Sequence, residues 1–250
     1  MTALLSAHGV NKSFAQGDAR NQVLTDVSVT INSGDFVAIM GPSGSGKSTL
    51  LYCLSGMDPV DSGEIRLEDV DIATLSEDER TSLRGERMGF VFQDANLLES
   101  LNVLDNILFA AALRGHARMD ELRARARELM ELTGISGLED RGVTEVSGGQ
   151  RQRVSLCRAL LHQPAVLFGD EPTGALNSQA SADVIALFRT LNAQGTTMLI
   201  VTHDARVAAS ASRVLFLSDG RTVDEVHLMR DLTPGEREER VGAAMSRLGI

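Results

Sequence analysis

Cysteine is scarce: Cys53 and Cys157 are the only two in 250 residues. No zinc-ligand spacing can be built from them. Both fall in apolar helical patterns, so they read as buried small hydrophobes of a reducing compartment. Long apolar runs are missing too. No stretch approaches the roughly 20 residues of a membrane span. The start, Met1-Thr2-Ala3-Leu4-Leu5, has neither the basic region nor the apolar segment of a signal peptide. Work at a membrane would therefore need another polypeptide to cross it. Positive charge is short: 24 Lys and Arg face 34 Asp and Glu, a net charge of −10. That balance argues against a chain whose main task is gripping nucleic acid. Repeats, low-complexity tracts and a clear interdomain linker are also lacking. What is present, 43% apolar and 23% charged residues, suits a globular chain. Its length suits one α/β domain, with room for a subdomain.

Lysine is the rarest cation, found only at Lys12 and Lys47. Lys47 lies in the stretch 41–49: Gly41, Pro42, Ser43, Gly44, Ser45, Gly46, Lys47, Ser48, Thr49. This fits the phosphate-binding pattern G-x-x-x-x-G-K-[ST]. The apolar run 36–40 before it reads as a buried parallel strand, and 50–54 after it continues as a helix. Gly44 and Gly46 leave backbone N–H groups free to wrap an anion, and the helix start adds partial positive charge. Lys47 can reach β- and γ-phosphates, and Ser48 can give a hydroxyl to Mg²⁺.

Residues 4–40 read as strands, with Val23, Val27, Val29 and Ile31 alternating with polar residues. Phe14 ends the first strand and is either the apolar wall of a nucleotide site or a core residue. Ser62-Gly63 reads as a turn before a hairpin at 64–67 and 70–72. Ser76 with Glu79 forms a capping box for a helix to about Leu83. Met88 to Phe92 forms another strand, and Gln93 follows it, at the crevice end or in a solvated loop. From 94 to 163 the spacing of Val103, Ile107, Leu108, Leu122, Leu129 and Leu132 is helical. The Arg123, Arg125, Arg127 and Glu128 cluster reads as a solvated helix face.

Ser147, Gly148, Gly149 and Gln150 open a helix expected to run from Arg151 to about His162, a second anion-binding helix start. One γ-phosphate cannot occupy two such places unless they face each other. The economical arrangement is a homodimer with two composite sites, each phosphate loop facing the other copy's 147–150. The strand 165–169 ends in Asp170-Glu171. Asp170 can hold Mg²⁺ directly or through water, and Glu171 can orient or deprotonate an attacking water. Asn177 and Ser178 cap a helix to about 192. The strand 197–201 ends just before His203, which can donate to a γ-phosphate. His8, His116, His162 and His227 have no such placement. Residues 214–217 with an Asp219-Gly220 turn close the sheet. Thr233, Pro234 and Glu236 start a tail helix to Leu248 that packs either on the domain or on a partner.

In this order, residues 41–49, Gln93, 147–150, Asp170-Glu171 and His203 resemble the nucleotide-binding subunit of an ABC transporter, over about residues 4–230. The resemblance implies an α/β P-loop NTPase fold: a RecA-like core with an antiparallel β subdomain (1–93 and 164–230), an inserted α-helical subdomain (94–163) and a C-terminal helical tail (231–250). It implies ATP and Mg²⁺ as ligands. Lys47, Ser48 and Thr49 would bind phosphate and metal. Gln93 would touch the metal and the transmembrane contact. Ser147 to Gln150 would bind the partner's ATP. Glu171 would be the base, His203 the γ-phosphate switch and Phe14 the adenine-stacking aromatic. The stretches 36–51, 89–93, 97–98 and 170–178 are similar to the branch of lipoprotein-release, macrolide-efflux, antimicrobial-peptide-resistance and haem-efflux ATPases. That branch implies a separate permease with few spans and a large extracytoplasmic domain, and a place on the cytoplasmic face of the bacterial inner membrane. Two departures stand out. Asn177 replaces the family's usual Asp, which puts communication between two ATP sites in question, and 141–146 lacks the branch's proline.

Three function classes follow. The first is an ATP hydrolase driving an exporter or mechanotransmission complex. The second is the same engine regulating an extracytoplasmic enzyme or sensor kinase. The third, a soluble nucleic-acid ATPase, is disfavoured by the acidic balance and by the lack of a coiled coil, a zinc module or a second ATPase domain. A P-loop kinase is excluded by 147–150 and His203.

Overall fold

The computed structural model describes residues 3–17, 19–113, 118–229 and 231–250; His116 lies outside these. Among the described residues the strands are β1 (Ala3–Gln16), β2 (Ala19–Asn32), β3 (Phe36–Met40), β4 (Ser62–Leu67), β5 (Val70–Asp71), β6 (Met88–Phe92), β7 (Val166–Asp170), β8 (Thr197–Val201), β9 (Arg213–Ser218) and β10 (Arg221–His227). The helices are α1 (Lys47–Leu54), α2 (Glu77–Arg87), α3 (Val103–Leu113), α4 (Met119–Leu132), α5 (Gly148–Leu160), α6 (Ser178–Ala193), α7 (Ala205–Ala208) and α8 (Pro234–Leu248). One sheet runs β2-β1-β4-β5 and the other β10-β9-β3-β8-β7-β6. The first is antiparallel. The second is parallel except for its edge strand β10.

The central strands are apolar on both faces because both faces are covered. Phe36, Ala38 and Met40 of β3, Met198 and Ile200 of β8, and Val214 and Phe216 of β9 join one core with the helices α3 to α8. The alternate residues Val37, Ile39, Leu199, Val201, Leu215 and Leu217 join a second core with α1 and the antiparallel sheet. The period of 2 along each strand thus divides its side chains between two cores. α1 is buried between the two sheets through Leu50, Leu51, Cys53 and Leu54. Burial pushes both thiols up to about 12, so Cys53 and Cys157 are packing residues.

Local chemistry moves several expected boundaries. Ser62 and Gly63 are not a turn: they belong to β4, where Ser62 pairs with Asn11 across a register shift. Gly63 takes a φ of 104° there, and a Cβ would lie 2.7 Å from the Gly9 carbonyl oxygen. Phe14 does not end β1, which continues through Gln16. The Ser76–Glu79 capping box forms, but α2 runs on to Arg87, held by Glu77 against Arg80 and Arg84. α5 starts at Gly148 rather than Arg151, because Ser147 and Gln150 cap one another. Strand β10 and the short α7 carry too few apolar residues to be seen as runs. Leu122 and Leu132 are half-buried, while Val103, Ile107, Leu108 and Leu129 are buried.

The helices α3, α4 and α5 pack on one another, and α5 also lies on β6. Arg123 and Arg127 are exposed, as a solvated face requires, and Arg125 pairs with Glu128 at 3.1 Å. The tail helix α8 folds back on its own chain. Val241 and Ala244 are buried, and the Arg237 guanidinium donates to the carbonyls of Ala209, Ala211 and Met229.

Phe168 of β7 is fully buried and stacks on Phe90, with ring centroids 5.4 Å apart. Phe168→Ala should lower the unfolding free energy by about 3–5 kcal/mol. Denaturant titration with an unchanged slope would measure it, and a loss below about 1 kcal/mol would show that this face collapses around the gap.

Candidate functional site

The site is assembled where parallel strands end together. In register, Ile39 pairs with Val201, Val201 with Asp170, and Asp170 with Phe92. The next residues of each strand therefore leave the sheet at one edge: the 41–49 loop, His203, Glu171 and Gln93. This is the crevice outside the carboxyl ends of an α/β sheet.

The loop leads directly into α1. Helices α2, α5, α6 and α8 begin at side-chain caps, namely Ser76, Ser147, Asn177 and Thr233. α1 begins at Gly46 with no side-chain cap. Its first N–H groups are thus left to a ligand or water. Gly46 has a φ of 98°, and a Cβ there would lie 2.9 Å from the Val23 carbonyl oxygen. Only glycine fits that approach without strain. Ser45 Oγ is buried with no hydrogen-bond partner. The uncapped helix start is what a phosphate chain would satisfy; the Ser45 hydroxyl faces inward, beside Gly41.

Lys47 Nζ donates to the carbonyls of Gly41 at 2.9 Å and Pro42 at 2.8 Å. Burial lowers its pKa, while the carboxylates of Glu171 and Asp170 pull the other way. The Ser48 hydroxyl donates to Asp170 Oδ1 at 2.9 Å. Tyr52, one turn further along α1, donates its phenol to Asp170 Oδ2 at 2.7 Å. Burial, then the Asp170 bond, pushes the phenol up to about 12, so it stays a donor. Glu171 Oε2 lies 2.8 Å from His203 Nδ1 and accepts from the His203 N–H at 3.4 Å. The Glu171 N–H donates to the Val201 carbonyl at 2.9 Å. Glu171 also has a φ of 50°, a left-handed conformation unusual for a residue with a side chain.

Lys47, Ser48, Tyr52, Asp170 and Glu171 border two adjoining cavities, and His203 reaches them through Glu171. One, of about 340 Å³, is lined by Ser48, Tyr52, Gln93, Asp170 and Glu171. The other, of about 410 Å³, follows the loop past Val23, Ser43, Gly44, Lys47 and Thr49, and shares Ser48 and Glu171 with the first. The Gln93 amide lies against Gly174, where a Cβ would come within 3.2 Å of it. Among the described residues no group of three or more His, Cys, Asp or Glu is placed to hold a metal. The mixed oxygen set of Ser48, Asp170 and Gln93 instead suits Mg²⁺, which keeps several waters and takes few protein ligands.

Several expected site residues do not line these cavities: Gly41, Pro42, Ser45, His203, Phe14 and 147–150. Phe14 is 40% exposed, so it is no core residue, and Lys12 Nζ lies 4.8 Å from its ring centroid. Lys12 Nζ itself donates to the Pro59 carbonyl at 2.6 Å. Ser147, Gly148, Gly149 and Gln150 form the start of α5 and line neither cavity. That start lies against α6, since a Cβ on Gly149 would come within 2.9 Å of the Ala180 methyl. Further along α5, the buried Gln152 amide donates to the carbonyls of Phe92 at 2.8 Å and Pro172 at 2.7 Å. One side chain thus ties α5 to the strand end before Gln93 and to the loop after Glu171.

Sequence reasoning missed Tyr52, Val23 and Gln152. The signal for Tyr52 was its position four residues after Ser48 on one helix, which places both on one face. His8 and His227 are exposed and His162 is half-buried, all away from these cavities.

Residues 24–174 match the family described as ABC transporter. A macrolide export ATP-binding/permease protein MacB of Neisseria meningitidis serogroup B is 42% identical over 223 residues, 89% of this chain and 34% of that protein. The MacB 1/2 protein of Paracoccus denitrificans is 44% identical over 220 residues, 88% of this chain and 33% of that protein. The chain thus spans about a third of the length of the curated relatives it matches. Among solved structures, a dimeric ATP-binding cassette in a post-hydrolysis state bound to ADP and Pi superposes with a TM-score of 0.82. It is 35% identical, and the match covers 90% of this chain and 99% of that one. The chain belongs to the ABC transporter family, as a nucleotide-binding cassette of P-loop NTPase fold in a family that hydrolyses ATP.

Proposed function

We propose that this chain binds Mg²⁺·ATP at residues 41–49, closes as a homodimer around two ATP molecules, and hydrolyses them to drive a membrane permease. One observation carries the reading. The uncapped phosphate helix shares its cavities with Asp170 and Glu171, while the second anion-binding helix start, 147–150, lies outside them. A second copy supplies what one copy lacks: its Ser147, Gly148, Gly149 and Gln150 meet the γ-phosphate across a two-fold axis. The dimeric relative bound to ADP and Pi supports this arrangement. Within the cassette, 1–93 and 164–230 form the core, 94–163 a helical insertion and 231–250 a tail.

The chemistry follows from the geometry. The loop N–H groups and Lys47 hold the β- and γ-phosphates, with Lys47 leaving the Gly41 and Pro42 carbonyls to do so. Ser48, Asp170 and Gln93 would hold Mg²⁺, which would supply charge neutralisation on the phosphates. Glu171 takes a proton from the water that attacks the γ-phosphorus, as the bond to the β–γ bridging oxygen breaks and ADP leaves. His203, 2.8 Å from Glu171, orients that carboxylate and donates to the γ-phosphate. Phe14 stacks on the adenine.

The MacB relatives bear the name of export ATP-binding/permease proteins. Their likeness supports an export role coupled to a permease; we further propose an exporter or mechanotransmission complex whose permease has few spans and a large extracytoplasmic domain. No helix among the described residues is long and apolar enough to cross a membrane. We place the cassette on the cytoplasmic membrane face, held there by the permease.

Glu171→Gln should keep ATP binding and lower phosphate release by about 10²–10⁴-fold; substantial residual turnover would remove Glu171 from the base role. Ser147→Arg should abolish hydrolysis and leave nucleotide affinity of the isolated chain unchanged; loss of binding would sink the composite site. Tagged Glu171→Gln protein, incubated with ATP and Mg²⁺ in native membranes, should retain a permease identifiable by mass spectrometry. Recovery of only soluble proteins or nucleic acid would overturn the transport role.

A further inference from the structure

Asp170 is gripped from both sides by one helix. Ser48 holds Oδ1 at 2.9 Å and Tyr52 holds Oδ2 at 2.7 Å. The two donors stand four residues apart on α1, so one rigid helix fixes the plane of the carboxylate. Tyr52 is half-buried and borders the same cavity as Gln93 and Glu171. Its ring is anchored in a helix packed between two sheets, so the phenol has little freedom to leave. None of the motifs that mark the nucleotide site includes this residue.

We propose that Tyr52 is the positioning residue for the Asp170 carboxylate: it holds Oδ2, so that Oδ1 and the Ser48 hydroxyl face the position where Mg²⁺ is held. This rests on the reading of Asp170 as a Mg²⁺-holding residue. A carboxylate held in place by an outer hydrogen bond loses less freedom when a cation arrives, and such outer partners tune metal affinity. Without the phenol, the carboxylate rotates about its Cβ–Cγ bond and Oδ2 is left without its donor. The phosphate loop itself, including Lys47, is untouched. Tyr52 thus governs the metal dependence of nucleotide binding rather than nucleotide binding as such.

The chain offers a direct probe, because it has one tyrosine and no tryptophan. Its intrinsic emission is therefore that of Tyr52, and a phenol hydrogen-bonded to a carboxylate is quenched by proton transfer in the excited state. The test uses the full chain with Glu171→Gln to block turnover and a fluorescent ribose-labelled ATP as ligand, titrated with Mg²⁺ or with EDTA present. Tyr52→Phe should raise the Mg²⁺ concentration for half-maximal binding about tenfold and leave the affinity in EDTA unchanged. Asp170→Asn should do the same and also brighten the tyrosine emission. A Tyr52→Phe protein that weakens binding equally with and without Mg²⁺, or does neither, overturns the proposal. Unchanged emission in Asp170→Asn overturns it too, since the bond is then not formed in solution. If Asp170→Asn leaves the Mg²⁺ dependence untouched, the reading of Asp170 itself falls, and Tyr52 with it. If only Tyr52→Phe is silent, that reading stands and Tyr52 alone is wrong.

Discussion

The site depends on the register of a parallel ladder. Strands β3, β8, β7 and β6 pair so that Ile39, Val201, Asp170 and Phe92 lie side by side. A slip of one residue in any of them would turn its side chains to the opposite face. The two cores prevent that slip. Phe36, Ala38 and Met40 have places among the helices, and Val37 and Ile39 have places against α1 and the antiparallel sheet. Apolar packing remote from the nucleotide therefore decides how far Glu171 stands from His203 and how Asp170 meets Ser48.

Within that frame, the polar groups of the site occupy one another. Lys47 is held by two loop carbonyls, Asp170 by two hydroxyls, and Glu171 by His203. Ligand arrival is thus an exchange of hydrogen bonds rather than the making of new ones, and its net energy is the difference between two paired states. The exceptions are informative. The α1 start lacks a side-chain cap, and Ser45 Oγ lacks a partner. The unmet demand that faces a cavity is that of the α1 start, and it coincides with the proposed place of the phosphates.

Much of this was legible in the sequence because the signals were local. A glycine-rich run between an apolar strand and a helix, and a carboxylate pair at the end of an apolar strand, each declare their structure within about ten residues. The reciprocal cap of Ser147 and Gln150 was half legible. The sequence marks 147–150 as a helix start, but the return bond that Gln150 accepts from the Ser147 N–H brings the first helical residue forward to Gly148. Other features depend on distant pairing. Ser62 and Gly63 look like a turn until Asn11 is opposite them, and β10 is polar because it lies on an exposed edge. Gln152 carries no local mark of its role, since its two acceptors come from elements 60 and 20 residues away. Tyr52 was hidden in the apolar continuation of a helix, although its spacing from Ser48 was there to be used.

Glu171 sits at a φ of 50°, where glycine or asparagine would rest more comfortably. Its backbone is pinned there by the bond from its N–H to Val201. Asp26, Glu68, Asn96, Gln163 and Asp219 also take positive φ, but among these six only Glu171 lies beside both Asp170 and His203. With Glu171 as the proposed base, selection for stability would favour glycine or asparagine at 171, and selection for turnover would favour glutamate.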